Sequence, residues 1–448
     1  MMNRKDQWMK FLNAERVGEE HDTSYDNNRS AYQRDRDAII FSESFRKLQG
    51  KTQVFSLARN DYVRDRLTHS MEVAAVGRNL AEIVGERLIE RHNLEGVTAH
   101  DFGVILEAAC LAHDIGHPPL AHAGEEAIKE YFENNKERFY GMVGPSYKDF
   151  LEFEGNAHNM RILTDLEQSS RFGGMRLTSS VLGAITKYPR LSHHSQGLDI
   201  SWNAKKFNFF KCDEDILTSL ATNLGLKQTG NENEYFRSPL AYLVEAADDT
   251  CYALIDIEDA YVMEVIDFGT AVSLLMPMTG GAIERGDLDR IDYLKRLRAK
   301  AIGKLMGEVC DIFLDNEEDI IEGRFDGDLL DYVSVSKEFA KLKTFAFKYI
   351  YTSTPAIEVR SAGYKIIDSL LTTFIDSAME HFYKGDKKSS KAETYLNYMA
   401  PKYRKNVTSA KDEYQTIMAV CDYIASMTDH QAVEVYKNFY GASIPTIG

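Results

Sequence analysis

Three histidines fall within ten residues in EAACLAHDIGHPPLAHAGEEAI, residues 107–128: His113, His117 and His122, with Asp114 and Glu125 among them. Imidazole and carboxylate are the ligands of divalent cations, and an imidazole beside a carboxylate can carry a proton. Phe102 to Ala112 is an apolar segment of helical character, so His113 and Asp114 stand at its C-terminal end, about 100° apart around the axis. Both can reach one cation. Gly116, Pro118 and Pro119 stop the helix, because proline lacks the amide donor and clashes with the preceding turn. Where helix resumes, His122 and Glu125 lie three residues apart on one face, and the carboxylate can orient the imidazole and raise its basicity. Leaving such groups buried and unpaired costs several kcal/mol. The cluster therefore reads as a metal site opening onto a catalytic turn, rather than as a set of core histidines. His113 and His117 also have the i, i+4 spacing of a zinc-protease helix, but Asp114 stands where that motif needs glutamate, and Gly116 and two prolines break the helix.

Other elements must bring partners to this turn. His69, in RNDYVRDRLTHS, lies at the N-terminus of a long helix whose apolar face is Val73, Val76, Leu80, Ile83 and Val84. That helix can pack against the one carrying His113. Arg66, three residues earlier, projects from the same turn. A second long helix begins at Pro239, PLAYLVEAADDTCYALIDIEDA, and holds more acids than a buried face tolerates unpaired. On it Asp248, Tyr252 and Asp256 fall at i, i+4 and i+8, one stripe about 12 Å long, which is the size of a nucleotide. Asn156 is placed to cap a helix running to about Glu167, and Lys187 and Tyr188 close a helix from Leu177.

HD followed by IGHPPLAHAGE resembles the HD-domain phosphohydrolases, and specifically the deoxyguanosinetriphosphate triphosphohydrolase (dGTPase) family. Further stretches share the likeness: SFRKL leading to KTQV at 51–54, RLTHS at 66–70, EGNAHNMRIL at 154–163, KYP at 187–189, EAADDTCYALIDIEDA at 245–260, the GYKII stretch from Gly363, and DYIASMTD at 422–429. Two positions depart from the family pattern: His158 replaces a glutamine and Ser426 a glycine. The likeness runs from about residue 26 to 440, with gaps at 190–210 and 262–340. It implies one divalent ion, of the Mg, Mn or Fe/Ni/Co type, held by His69, His113, Asp114 and Asp248. It also implies phosphate contacts from Arg66 and Lys187, with His117 beside them. Tyr188, Tyr252 and Asp256 would meet the sugar, Gln53 and Val54 would face the nucleotide, and Asn156 would touch the substrate. His122, oriented by Glu125, would manage the proton. The implied reaction releases deoxynucleoside and intact triphosphate from dGTP or another dNTP. The family also suggests a homo-oligomer, commonly a hexamer, with an effector dNTP or single-stranded DNA as further partners.

Composition sets the frame. The 448 residues carry a formal net charge of −16, which disfavours general nucleic-acid binding and requires a local cationic pocket for an anionic substrate. Five scattered cysteines without a CxxC pair argue against a disulfide framework or a thiolate zinc site. With no apolar leader and no run of about 18 apolar residues, the expected location is the cytoplasm, away from membranes. The expected fold is all-α: one large helical unit over 1–448, an HD core at 60–260, an irregular insertion with a short hairpin at 190–238, and a helical part at 262–448 that completes the pocket and oligomer contacts. Lys341, Lys343, Lys348 and Tyr349 form a strip that either closes the pocket or faces solvent. Two rival functions remain at this level: an HD phosphohydrolase acting on another nucleotide phosphoester, and a nucleotide sensor or single-strand binder.

Overall fold

Local sequence starts and stops each helix that matters. The computed structural model describes residues 3–17, 29–53, 63–168, 174–192 and 206–440. Helix α1 (Ala31–Phe41) begins with a capping box between Ser30 and Gln33. Helix α2 (Arg66–His92) is capped by Asp65, whose carboxylate accepts the Thr68 amide, and ends where Asn93 turns left-handed. Helix α3 (Ala99–Ala112) opens on a Thr98–Asp101 capping box and is buried along most of its length. Then follow α4 (His122–Asn134), α5 (Gly155–Arg161), α6 (Ser179–Ile185) and α7 (Pro239–Val262), the last with proline at its first position. The C-terminal half adds α8 (Arg290–Asp315), α9 (Thr354–Lys384), α10 (Glu413–Ala425) and α11 (Asp429–Phe439).

Two apolar cores organise these helices. Val73, Leu80, Ile105, Leu243, Leu254 and Leu305 bring α2, α3, α7 and α8 together. Ile128, Phe132, Ile367, Phe374 and Ile424 join α4, α9 and α10. The fold is all-α as expected: among the described residues there is no strand, only isolated bridges such as Gln228 with Tyr235. Residues 193–205, within the insertion expected to hold a short hairpin, lie outside the described residues. No helix among the described residues is long and apolar enough to cross a membrane.

Several expected boundaries are corrected. The polar stretch before Asp37, expected from its charge as a solvated, turn-rich segment, is helical from Ala31, because the Ser30 cap and buried Tyr32, Asp35 and Ile39 outweigh that charge. The N-terminal helix, expected over residues 1–20, is Arg4–Phe11. The helix after His122, expected to run to about Phe139 and then loop out, stops at Asn134; a second runs Lys136–Val143, and residues 144–147 form a tight helical turn because Tyr147 is buried beside Phe132. The helix expected from Leu177 to Lys187 is Ser179–Ile185, so Lys187 and Tyr188 lie past its end. Asn156 does not cap: Glu154 is the residue before the helix, and the Asn156 amide donates to its Oε1 at 2.7 Å.

Gly85 lets α2 approach α3, since a Cβ there would stand 2.7–2.9 Å from Phe102 ring and Cβ atoms. Alanine raises helix propensity by about 1 kcal/mol over glycine, but overpacking a full core costs about 1–3 kcal/mol. The clash wins. Gly85→Ala is expected to lower the urea midpoint with an unchanged m-value.

Candidate metal centre and active site

His69 sits in the first turn of α2, His113 at the end of α3 and Asp248 midway along α7. Their ligand atoms lie within 4.8 Å of one another. Asp248 Oδ1 is 3.2 Å from His69 Nε2 and 3.4 Å from His113 Nε2, while its Oδ2 accepts from Lys187 Nζ at 2.7 Å. The tautomer of His113 follows from its neighbour: Nδ1 is 2.7 Å from the Cys110 carbonyl, an acceptor only, so Nδ1 carries the proton and the lone pair is on Nε2. That Nε2 is buried without a hydrogen-bond partner among the described residues. An orphaned imidazole nitrogen, a second imidazole and a carboxylate oxygen in one buried spot fit a first-row divalent cation.

Asp114 borders this group without being part of it. Its Oδ1 is 3.5 Å from His113 Nε2 and 3.1 Å from His117 Nδ1, and its Oδ2 takes Arg66 Nη1 at 2.5 Å. Arg66 opens α2 itself and is buried, so the guanidinium is held inward. Burial works against the ionised carboxyls of Asp114 and Asp248, but Arg66 and the histidines for the first, and Lys187 and His113 for the second, keep both well below the usual range. The imidazolium of His113 is disfavoured by burial and favoured more by Asp114 and Asp248, which leaves its pKa raised. His117 goes down, through burial and Arg66.

The turn from His113 to His122 exists because two backbones nearly touch. A Cβ on Gly116 would meet Asn159 N at 2.1 Å and Gly155 O at 2.4 Å, so only glycine fits. Beyond it, the His122 ring is 6.2 Å from that of His117 and largely exposed, with Nδ1 3.5 Å from Glu125 Oε2. The Gly155 amide donates to Glu125 Oε1 at 2.9 Å. Burial opposes the Glu125 charge, but His122 and His117 hold its carboxyl low.

A cavity of about 390 Å³ adjoins the centre, lined by Gln53, His122 and Tyr252, with Phe347, Tyr351 and Arg360 opposite. The Tyr252 ring is 6.3 Å from His69. Tyr351 donates to Asp256 Oδ2 at 2.5 Å, and burial lifts the Asp256 carboxyl well above its usual range. Among the described residues, Gln53 Oε1 has no hydrogen-bond partner. A larger cavity, about 730 Å³, lies among Arg4, Lys10, Lys227 and Arg324, and none of the clustered residues lines it.

Not every expected residue comes to this place. Asn156 is turned to Glu154. Tyr188 is half-buried beside Lys206. Val54 lies outside the described residues. Lys341, Lys343, Lys348 and Tyr349 are exposed and line none of the cavity near Tyr252; Lys343 pairs instead with Asp249 at 2.8 Å. The sequence reading missed Phe347, Tyr351, Arg360 and Glu126. Nothing in their spacing marks them, since they border the cavity only through the packing of distant helices.

Two family models match the chain. Residues 66–169 match the HD domain, and residues 333–438 match the phosphohydrolase-associated domain. The chain is an HD-domain hydrolase. It is 37% identical to the deoxyguanosinetriphosphate triphosphohydrolase-like protein of Synechocystis sp., covering 98% of this chain and all of that one. It is 36% identical to the like-named protein of Pseudomonas aeruginosa over the same shares, and 27% identical to the deoxyguanosinetriphosphate triphosphohydrolase of Serratia proteamaculans, covering 92% and 94%. The chain belongs to the deoxyguanosinetriphosphate triphosphohydrolase family.

His158, a departure from the family pattern, lies fully buried behind the turn, its Nδ1 2.8 Å from the Gly116 carbonyl. Burial pushes its pKa down to about 3. In the unfolded chain it titrates near 6.5. As pH falls from about 6.5 towards 3, the unfolded state takes up a proton that the folded state refuses, so stability drops by on the order of 1 kcal/mol per pH unit. His158→Gln can still donate to Gly116 and does not titrate. Its urea midpoint is expected to fall less than the wild type's between pH 7 and pH 4.5.

Proposed function

We propose that this protein is a divalent-metal-dependent dNTP triphosphohydrolase that converts dGTP, and other dNTPs more slowly, to deoxynucleoside and inorganic triphosphate. The observation that carries the reading is the convergence of His69, His113 and Asp248, with Lys187 and Arg66 beside them, next to a cavity walled by Tyr252. Names of relatives in three bacterial genera support it.

His69, His113, Asp114 and Asp248 would hold one Mg, Mn or Fe/Ni/Co-type ion. When bound, that ion supplies charge neutralisation at the phosphates and lowers the pKa of water. Asp114 must then share its carboxylate between Arg66 and the centre. Arg66, Lys187 and His117 would bind the phosphate oxygens, because phosphoryl transfer depends mainly on positioning and charge. Water attacks the α-phosphorus, the bond to the 5′-oxygen breaks, and the leaving oxygen needs a proton. His122, exposed towards the cavity and tethered to Glu125, is placed to give or take it.

Tyr252 would lie against the deoxyribose, and Asp256 would accept the 3′-hydroxyl in exchange for Tyr351. Gln53, which lines the cavity, offers its side-chain oxygen to the nucleotide. Glu126 and Arg360, 3.8 Å apart, both line the cavity. A guanidinium suits guanine O6 and N7, and a carboxylate suits N1–H and the 2-amino group, which favours guanine over adenine. Exposed Phe347 and Ile357 support a homo-oligomer, a hexamer by family resemblance, working in the cytoplasm with a dNTP or single-stranded DNA as effector.

A panel of dNTPs and NTPs with Mn²⁺, Mg²⁺ or Fe²⁺ tests the reading by product. Intact triphosphate from dGTP is expected; orthophosphate or pyrophosphate as first product overturns it. His113→Ala should abolish Mn²⁺ binding in calorimetry. His122→Ala should keep that binding and lose about 10²–10⁴-fold in kcat; loss of both together would remove His122 from the proton step.

A further inference from the structure

The turn that delivers His122 is strained. Leu120 and Ala121 both have positive φ, 66° and 56°, and Ala121 has ψ of −137°. Side-chain-bearing residues avoid these regions, at about 1–3 kcal/mol each, and stay there only when surroundings compel them. Within the turn the backbone bonds are few: His117 N to Asp114 O at 3.3 Å and Gly124 N to Ala121 O at 3.0 Å. Restraint comes from the far end of the chain.

Asp429 is the first residue of α11, with the helix's positive end behind its carboxylate. It is 2% exposed, and its Oδ1 accepts the Leu120 amide at 2.7 Å. Its Oδ2 accepts the Thr52 amide at 3.1 Å and the Thr52 hydroxyl at 2.5 Å. Next to Thr52, buried Lys51 donates from Nζ to His117 O at 2.5 Å and to Ala425 O, at the end of α10, at 3.0 Å. The Lys51 carbonyl accepts the Arg66 amide at 2.9 Å. One carboxylate and one lysine amino group thus tie the turn, the Gln53 segment and the start of α2 to the C-terminal helices.

We propose that Asp429 is a positioning residue for His122: by fixing the Leu120 amide and the Thr52 segment together, it holds the strained turn in the conformation that presents the imidazole to the substrate, with Lys51 as the second point of attachment. This rests on the proton role given to His122 above. A group misplaced by about 1 Å can lose about 10²-fold in rate without loss of binding. The signature is therefore a kcat defect, not an affinity defect.

Asp429→Asn tests it in the full-length protein, since an amide NH₂ must then oppose one of three N–H or O–H donors. The expected result is kcat for dGTP down about 10–100-fold, with KM and the Mn²⁺ dissociation constant within about 3-fold of wild type. Hydrogen exchange of residues 117–124 should be at least about 10-fold faster. Thr52→Val, which removes one hydroxyl donor, should move both readouts in the same direction by less, and serves if Asp429→Asn does not fold. Unchanged exchange in these variants, or a kcat loss matched by loss of Mn²⁺ binding, overturns the proposal. The exchange measurement needs no turnover. A wild-type protein inactive on every dNTP, yet with faster exchange in Asp429→Asn, would sink the functional reading and leave the restraint standing.

Discussion

The arrangement around Asp248 is the constraint from which the rest of the site follows. A carboxylate in this interior is costly unless opposite charge and hydrogen-bond donors meet it. Lys187 takes one oxygen, and two imidazoles face the other. These partners come from α2, α3 and the segment after α6, so their helices can cross α7 only at the places where the side chains meet. Glycines at close crossings, such as Gly85 against Phe102 and Gly116 against Asn159, remove the Cβ atoms that would hold the backbones apart.

Around that centre the part that carries His122 is built differently. His122 starts a helix that belongs to the second apolar core, with α9 and α10, whereas the clustered ligands belong to the first. The strained turn from Gly116 to Ala121 is the bridge between cores. Separate packing of the two sides lets one hold charge tightly while the other leaves the His122 imidazole exposed beside the cavity.

The long helices are legible because their apolar stripes and caps repeat at helical spacing: α3 ends at Ala112 and α7 begins at Pro239, as expected. The closeness of His69, His113 and Asp248 is a tertiary fact, and only the resemblance of the motifs joined them beforehand. Short elements misled. The charged run before Asp37 looked like loop until buried Tyr32 and Ile39 are counted, and Asn156 looked like a cap although Glu154 precedes the helix. Tyr351 and Arg360 carry no local signal, and Asp429 is marked only as the last residue of the DYIASMTD stretch. Their meaning lies in which distant backbone they reach, and a pattern of period 3.6 says nothing of that.

The cavity wall formed by Phe347, Tyr351 and Arg360 comes from a stretch of chain that contributes nothing to the cluster at Asp248. On the proposed function, substitution there reshapes what can be admitted while the groups assigned to phosphate stay untouched. Recognition and chemistry are thus separately heritable in this fold, and descendants can acquire new substrate preferences by drift in the C-terminal region alone.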